Sequence, residues 1–274
     1  MQIRQIAIYG KGGIGKSTIA ANISAALAEK GLRVMLVGCD PKRDSTMTLV
    51  GGKQLPPLLE LLKDKKKISL DDVVFEGFKG VLCVEVGGPE PGIGCAGRGL
   101  ILAFRTLEKL GAFEQSLDFI IYDVPGDVVC GGFAVPMREG FAREVYIVTS
   151  GEYLSLYAAN NICKGVKRIN ARLGGIICNS RRVPREKEIV EMFTRAVKTK
   201  VVGFVPWDPI VPKCELQGKT VIEGAPTSKQ AEIYRRLAVN ILENKELVVP
   251  SPLPHMELRT FMKKFMGGFT HEWK

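Results

Sequence analysis

The chain has 274 residues, of which 46% are hydrophobic and 25% are charged, as is typical of a soluble globular protein. No stretch approaches the roughly 20 apolar residues of a membrane span, and the N-terminal segment lacks the pattern of a signal peptide, so we expect a cytoplasmic protein that does not bind membranes. The net charge of +10 could attract nucleic acid, but no nucleic-acid-binding motif is present, and we expect a solvated basic surface instead.

Strand-like and helix-like segments alternate along the chain. Residues 3–9 form a short isoleucine-rich run that leads into a glycine loop, as a buried parallel strand does. Residues 16–30 have the apolar spacing of a helix, and Gly31 follows where that helix ends. Further strands are predicted at 34–38, 81–86, 119–122, 144–149, 174–179 and 201–205, and further helices at 55–62, 100–110, 154–169, 186–196 and 230–242. This order predicts a doubly wound, mostly parallel α/β sheet flanked by helices.

Domain organisation follows from the same pattern. We find neither an internal repeat nor a linker, so we predict one domain over residues 1–274. From about residue 251 the chain carries Met, Phe and Lys without clear periodicity. We expect this C-terminal tail to wrap around the surface or a partner. In a sheet of this kind the functional loops lie at the carboxyl ends of the strands.

The first of these loops is a phosphate-binding motif. Residues 10–17, GKGGIGKS, match G-x-x-x-x-G-K-[ST] and lie between a predicted strand and a predicted helix. The backbone N–H groups of Gly12, Gly13, Ile14 and Gly15 can converge on phosphate oxygens, and the helix directs its positive dipole end at them. Lys16 reaches the β- and γ-phosphates and Ser17 ligates Mg²⁺. The motif predicts a site for MgATP or MgGTP.

Two aspartate loops follow other predicted strands. Asp40 and Asp44 lie just beyond the second strand, and Asp123 ends the fourth. A carboxylate in such a position can hold Mg²⁺ through water, although aspartates at strand ends also serve as turn formers. We favour the metal role because three such loops converge on one edge of the sheet.

Seven cysteines raise the question of metal or redox chemistry, since a disulfide framework is unusual in a cytosolic chain of this size. Cys39, Cys83, Cys163 and Cys178 have apolar or strand-like neighbours, and we expect them to be small buried hydrophobic residues. The residues around Cys214 do not indicate whether it is a buried hydrophobic residue or takes part in metal or redox chemistry.

The two remaining cysteines have a different setting. Cys95 and Cys130 each occupy a glycine-rich loop beyond a strand, where glycines leave space and supply N–H donors to cluster sulfurs. A [4Fe–4S] cluster needs four thiolates, and two copies of the chain around a twofold axis would supply four. Spacing alone also permits two buried structural cysteines.

These motifs together resemble one protein family. Lys11 marks the deviant form of the phosphate loop that partition and septum-site ATPases, arsenite ATPases, iron–sulfur scaffold ATPases and nitrogenase iron proteins share. The rest of the chain is similar to nitrogenase iron proteins and to the related reductases of chlorophyllide-type and nickel-tetrapyrrole systems. The matching stretches are IYGKGGIGKST at 8–18, GCDPK at 38–42, GGPEPGIGCAGRG at 87–99, GDVVCGGF at 126–133, YAANN at 157–161 and LGGIICNSR at 173–181.

The resemblance implies a P-loop NTPase homodimer with one shared [4Fe–4S] cluster, which receives single electrons from ferredoxin or flavodoxin. The dimer would pass them to a catalytic partner, coupled to MgATP hydrolysis. By position, the implied cluster ligands are Cys95 and Cys130, the cross-subunit lysine is Lys11, the water-activating residue is Asp127, and the docking arginine is Arg98. Other implied nucleotide-site residues are Lys16, Ser17 and Thr18 at the phosphates and Mg²⁺, Asp40 and Asp44 in the first switch, Asp123 in the second, and Asn179, Pro206, Asp208, Glu215 and Gln230 near the purine and ribose.

Some residues depart from the family pattern. Pro125 stands in the second switch where leucine is usual, and Trp207 and Pro212 replace polar residues near the base. Together with the basic net charge, these departures favour a partner that carries out reductive cyclisation of a nickel tetrapyrrole over one that reduces dinitrogen. Reduction of a sulfur compound also stays open. A chlorophyllide-type reductase is less favoured, because the 87–99 loop is less like that of those proteins. The alternative of another class is a non-redox partition-type ATPase. An iron–sulfur scaffold would normally show paired cysteines near its C-terminus, and this sequence does not.

Overall fold

The structure is a computed structural model that describes residues 3–64, 67–88, 96–126, 136 and 140–266. Its strands are β1 (Arg4–Gly10), β2 (Val34–Gly38), β3 (Phe75–Glu76), β4 (Leu82–Glu85), β5 (Phe119–Asp123), β6 (Glu144–Thr149), β7 (Arg172–Asn179) and β8 (Val201–Val205). They form one sheet in the order β3-β4-β2-β5-β1-β6-β7-β8. Every neighbouring pair is parallel except β3 and β4, which pair antiparallel.

Helices connect the strands and cover both faces of the sheet. They are α1 (Lys16–Glu29), α2 (Leu58–Asp64), α3 (Ala96–Lys109), α4 (Tyr153–Arg168), α5 (Glu186–Ala196), α6 (Ile210–Leu216), α7 (Val221–Gly224), α8 (Lys229–Glu243) and α9 (His255–Met266). No helix within the described residues combines the length and the apolar character that a membrane span requires.

The core has two halves, one on each face of the sheet. In β1, Ile6 and Ile8 belong to one apolar cluster, whereas Ala7 and Tyr9 belong to the other, as the two-residue period of a strand requires. Helices α1 and α8 contribute to the first cluster, and α3, α4 and α5 contribute to the second. The predicted doubly wound α/β fold is therefore confirmed.

The ends of several elements follow from local chemistry. Helix α1 stops before Gly31, whose φ of 87° is a conformation that favours glycine. Helix α2 begins later than predicted, at Leu58, because Pro56 and Pro57 precede it and the Pro57 carbonyl accepts the N–H groups of Glu60 at 3.0 Å and Leu61 at 3.2 Å.

The C-terminal tail is more regular than its sequence suggests. Residues 255–266 form α9, and its Leu258 and Met262 are buried in the core. Asn160 holds the approach to this helix, donating to the Leu253 carbonyl and accepting from the Leu253 N–H, both at 2.8 Å. The described part of the tail thus packs on its own sheet.

Candidate functional site

The carboxyl ends of four parallel strands meet at one edge of the sheet. Strand β2 lies between β4 and β5, and β1 lies on the other side of β5. This order brings together the phosphate loop after β1, Asp40 after β2, Glu85 at the end of β4 and Asp123 at the end of β5. Three of these loops were predicted to converge here, and the β4 end adds a fourth group.

The phosphate loop is held open by glycine and by an asparagine from β7. Gly15 has a φ of 94° immediately before α1, and a Cβ atom there would lie 2.4 Å from Asn179 Nδ2. That amide nitrogen donates a hydrogen bond to the Ile14 carbonyl at 2.7 Å. Any larger residue at position 15 would therefore displace the group that holds the loop.

Lys16 is the cationic centre of the loop. Only 6% of its surface is exposed, and its Nζ lies 3.5 Å from the Lys11 carbonyl oxygen. A buried ammonium at the N-terminal end of a helix is a strong attractor for phosphate oxygens. Lys11 itself is half-buried, and its implied cross-subunit role requires a second copy of the chain.

Asp123 is fully buried and only partly satisfied. Its Oδ2 accepts a hydrogen bond from Ser45 Oγ at 2.7 Å, while its Oδ1 has no partner among the described residues. Burial raises the pKa of Asp123, and the charge of Lys16 together with the hydroxyls of Ser17 and Ser45 opposes that rise. A hydrated Mg²⁺ would satisfy this buried carboxylate oxygen, either by direct coordination or by a hydrogen bond from one of its water ligands.

The loop after Asp123 packs directly on the phosphate loop. A Cβ atom on Gly126 would lie 2.6 Å from the Gly12 nitrogen and 2.8 Å from the Gly10 oxygen. Backbone contact this close leaves room for glycine alone. A movement of the phosphate loop would therefore act on this second loop.

Glu85 is a functional candidate that sequence reasoning missed. It is buried, and its Oε1 accepts hydrogen bonds from the Thr46 N–H at 2.8 Å and the Thr46 hydroxyl at 2.7 Å, while its Oε2 has no partner among the described residues. Burial raises the pKa of Glu85 to about 7, with the hydrogen bonds from Thr46 opposing and the charges of Asp123 and Asp44 adding to the rise. A glutamate within the apolar run 81–86 is the signal that could have found it.

The two aspartates after β2 have different settings. Asp40 is mostly buried, and its Oδ1 accepts a hydrogen bond from the Lys42 N–H at 3.0 Å. Asp40 is therefore a turn former, which does not prevent a second role toward Mg²⁺. Asp44 is exposed and acts on Glu85 through its charge.

The predicted base-contact residues line one cavity of about 280 Å³ together with Gly13, Gly15 and Thr18 of the phosphate loop. Gln230 is buried and donates to the Pro206 carbonyl at 3.2 Å, and Thr18 Oγ1 donates to Glu215 Oε1 at 2.6 Å. The structure thus brings together all five residues expected near the purine and ribose, while their roles stay predictions: Asn179, Pro206, Asp208, Glu215 and Gln230.

The arginines of the basic cluster at 181–185 are exposed, but each contacts another part of the protein and is not only solvated. The Arg181 guanidinium donates to the Gly13 carbonyl of the phosphate loop. Arg182 stacks on Trp207, with 3.5 Å between its Cζ and the ring centroid. Arg185 pairs with Glu188 at 2.6 Å. Arg181 therefore lines the cavity, and Arg182 contacts one of its lining residues, Trp207. The sequence offered no periodicity that would have assigned either arginine.

Three predicted site residues, Cys95, Cys130 and Asp127, lie outside the described residues. Arg98 is exposed in the first turn of α3 and is not part of the cavity lined by Asn179 and Trp207. Its implied docking role therefore concerns another surface.

The five described cysteines are buried and unpaired: Cys39, Cys83, Cys163, Cys178 and Cys214. Burial raises the pKa of each thiol, that of Cys163 to about 12, so these residues stay protonated at neutral pH. The expectation of buried hydrophobic cysteines is confirmed, and Cys214 joins them.

The residues present suit a nucleotide with a divalent cation. The loop supplies backbone donors and a buried ammonium for phosphates, and Asp123 supplies a carboxylate oxygen without a donor.

Comparison with known proteins agrees with these features. The family model of 4Fe-4S iron sulfur cluster binding proteins, NifH/frxC family, matches residues 4–267. The chain is 56% identical over 262 residues to nitrogenase iron protein 2 of Methanobacterium ivanovii, covering 96% of this chain and 99% of that one. It is 52% identical over 278 residues to the nitrogenase iron protein of Methanospirillum hungatei, covering 98% and 99%.

A solved structure shares the fold. The cell division ATPase MinD of Pyrococcus furiosus aligns with a TM-score of 0.72 and 22% identity, covering 88% of this chain and 99% of that one. At this identity the likeness concerns the architecture of the sheet and its helices.

Proposed function

Because the chain belongs to the NifH/frxC family of 4Fe–4S iron–sulfur cluster binding proteins, we propose that it is the ATP-dependent electron-transfer component of a nitrogenase-like system. The family binds a [4Fe–4S] cluster and MgATP, and its members are homodimers that transfer electrons to a catalytic component. The observation that supports coupling is the packing of the loop after Asp123 on the phosphate loop at Gly126, because that loop continues to Cys130.

The phosphate end of the cleft binds and orients the nucleotide. Lys16 would neutralise the phosphate oxygens of a bound nucleotide, and Ser17 and Asp123 would hold its cation. The cation would place positive charge beside the Asp123 oxygen that lacks a donor. A cation held there would compensate the buried charge of Asp123, and a bound nucleotide would order the two loops that contact each other.

The remaining site roles are proposed from position in the chain. Asp40 and Asp44 form the first switch, Asp127 activates water, and Lys11 reaches the nucleotide of the second subunit. Cys95 and Cys130 of two copies would hold the cluster, which supplies one-electron redox chemistry when bound. Arg98, exposed on the first turn of α3, would contact the catalytic component.

For the partner reaction we propose reductive cyclisation of a nickel tetrapyrrole, with ferredoxin or flavodoxin as the electron donor. The support is the set of departures at Pro125, Trp207 and Pro212 and the net charge of +10. Dinitrogen reduction is the second candidate, favoured by the names of relatives that are 52% and 56% identical.

The cluster and its coupling are tested by anaerobic purification, with iron, sulfide and EPR measured before and after MgATP. We expect about four irons per dimer and an EPR signal that MgATP alters. Cys95→Ser and Cys130→Ser should each abolish the signal, while Cys163→Ser, a matched change at a buried thiol, should keep it. A protein without iron, whose two serine variants hydrolyse ATP normally, would instead favour the partition-type ATPase.

The partner reaction is tested by reconstitution with each candidate catalytic component. ATP-dependent reduction of the nickel tetrapyrrole, with no reduction of dinitrogen by the corresponding nitrogenase component, supports the first candidate. The reverse result contradicts it and supports the second.

A further inference from the structure

Trp207 is an exposed aromatic residue at the base end of the nucleotide cleft. It follows β8, and 42% of its surface is exposed. Its neighbours Pro206 and Asp208 line the cavity with it, and so does Tyr234. The same cavity extends to Gly13 and Gly15 of the phosphate loop, so one ligand could span the distance from the loop to the indole.

Arg182 lies on the indole ring and is held there by the fold. The distance of 3.5 Å between its Cζ and the ring centroid is that of a close cation–π stack. Its N–H donates to Ser180 Oγ at 3.1 Å, and Ser180 Oγ in turn donates to the buried Glu186 at 2.5 Å. These hydrogen bonds fix the backbone at Arg182, from which the side chain reaches the indole.

The adjacent Arg181 ties this segment to the phosphate loop. Its guanidinium donates to the Gly13 carbonyl, whereas the Arg182 guanidinium faces the indole. Trp207 borders the cavity and Arg182 is absent from the described residues that line it. The indole thus contacts the Arg182 guanidinium and also borders the cavity.

We propose that Trp207, backed by Arg182, is a stacking platform for the purine base of the bound nucleotide and sets a preference for purine over pyrimidine nucleotides. The inference rests on the proposed binding of MgATP and adds the residues that select the base. A purine presents a larger π face than a pyrimidine, and an aromatic ring held rigid by a stacked cation loses little freedom on binding. The platform would act on the base and leave the phosphates to the loop.

The test compares two ligands that share a diphosphate and differ in the base, MgADP and magnesium pyrophosphate, by titration calorimetry. Trp207→Ala should weaken MgADP binding about tenfold and leave pyrophosphate binding within about twofold. Trp207→Phe, which keeps an aromatic face, should stay within about threefold for both ligands, and Arg182→Ala should fall between the two for MgADP. The preference of the parent for MgADP over MgCDP should shrink in Trp207→Ala.

A fluorescence readout isolates the indole. The chain has two tryptophans, so Trp273→Phe leaves Trp207 as the reporter. In that variant MgADP should quench the emission and pyrophosphate should not.

Several results would overturn the inference. Unchanged MgADP binding in Trp207→Ala would exclude the platform, and equal weakening of both ligands would assign Trp207 a merely structural role. If the parent binds neither ligand, the proposed nucleotide function itself fails, and the platform fails with it.

Discussion

The nucleotide cleft has a base end, the cavity lined by Asn179, Trp207 and Gln230, and a carboxylate end at Glu85 and Asp123. The two ends differ in whether their buried polar groups have hydrogen-bond partners. At the base end the protein satisfies its own polar groups, as Asn179 holds the Ile14 carbonyl and Gln230 holds the Pro206 carbonyl. At the carboxylate end Asp123 and Glu85 each keep a buried oxygen without a partner among the described residues. Among the described residues, the base end therefore pairs these polar groups by itself, whereas the carboxylate end leaves two buried oxygens without a donor.

This difference indicates where binding free energy can drive a change of conformation. A site whose polar groups already have hydrogen-bond partners can select its ligand, but its conformation changes little when the ligand binds. A buried carboxylate that lacks a donor is unfavourable until a cation or proton reaches it. The carboxylate end also contains the loop that leaves Asp123 toward Cys130, so the unsatisfied end is the one suited to act on a cysteine loop.

The largest expected effect comes from removing the cation of the phosphate loop. Lys16→Ala should lower the rate of MgATP hydrolysis by at least about a hundredfold, because the developing phosphate charge loses its buried ammonium. Steady-state hydrolysis measures it, with Lys30→Ala, an exposed lysine that follows α1, as the control. Equal rates for the two variants would contradict the role of Lys16.

Removing the charge of Asp123 should have opposite effects on activity and on stability. Asp123→Asn should lower MgATP hydrolysis by roughly a hundredfold, since the cation loses its ligand. The free energy of unfolding without ligand should rise, because burial raises the pKa of Asp123 and makes its ionised form unfavourable. Urea unfolding with and without MgADP measures it, with the exposed Asp71→Asn as the control. A less stable variant would show that the Asp123 charge is already satisfied.

Glu85 predicts a pH dependence of stability. Its pKa of about 7 lies above the ordinary value of 4.5, so the unfolded chain releases this proton first and stability falls as pH rises from 4.5 through 7. The full effect, present above pH 7, is at most on the order of 3 kcal/mol. Glu85→Gln should remove this contribution, so its stability relative to the parent should increase between pH 5 and pH 8. Urea unfolding at both pH values measures this difference in the free energy of unfolding. The same difference between variant and parent at pH 5 and at pH 8 would contradict the raised pKa of Glu85.

The smallest effect is expected at the satisfied end. Asn179→Ala removes the donor to the Ile14 carbonyl, so the protein without ligand should lose about 1 kcal/mol of stability. This sign is opposite to that of Asp123→Asn, which makes the pair a direct test of the comparison. Urea unfolding without ligand measures this loss, and Asn240→Ala, which removes a similar amide donor to the Val202 carbonyl away from the cleft, is the matched control. An unchanged or raised stability of Asn179→Ala would contradict the comparison.

Much of this arrangement could be predicted because it depends on local patterns. The β1 strand, the phosphate loop and α1 follow from apolar period and glycine spacing, and Asp123 follows from its place at the end of a buried strand. Helix α9 was missed because Leu258 and Met262 form only a short apolar stripe, which becomes decisive when it packs on the sheet. The two-residue β3 is too short for any period to show.

The rest of the site depends on contacts between distant parts of the chain. Glu85 meets Thr46 from 39 positions away, and Asn179 meets Ile14 from 165 positions away. The stacking of Arg182 on Trp207 joins the ends of two neighbouring strands. No local propensity encodes such pairs, because they exist only after the sheet has formed.

The most direct test of the central claim is the rate at which a chelator removes iron from the anaerobic protein, with and without saturating MgATP. We expect MgATP to change this rate by at least about tenfold in the parent and by less than about twofold in Asp123→Asn, because the carboxylate end transmits binding toward Cys130. An equal response in both proteins, or no response in the parent, would contradict it.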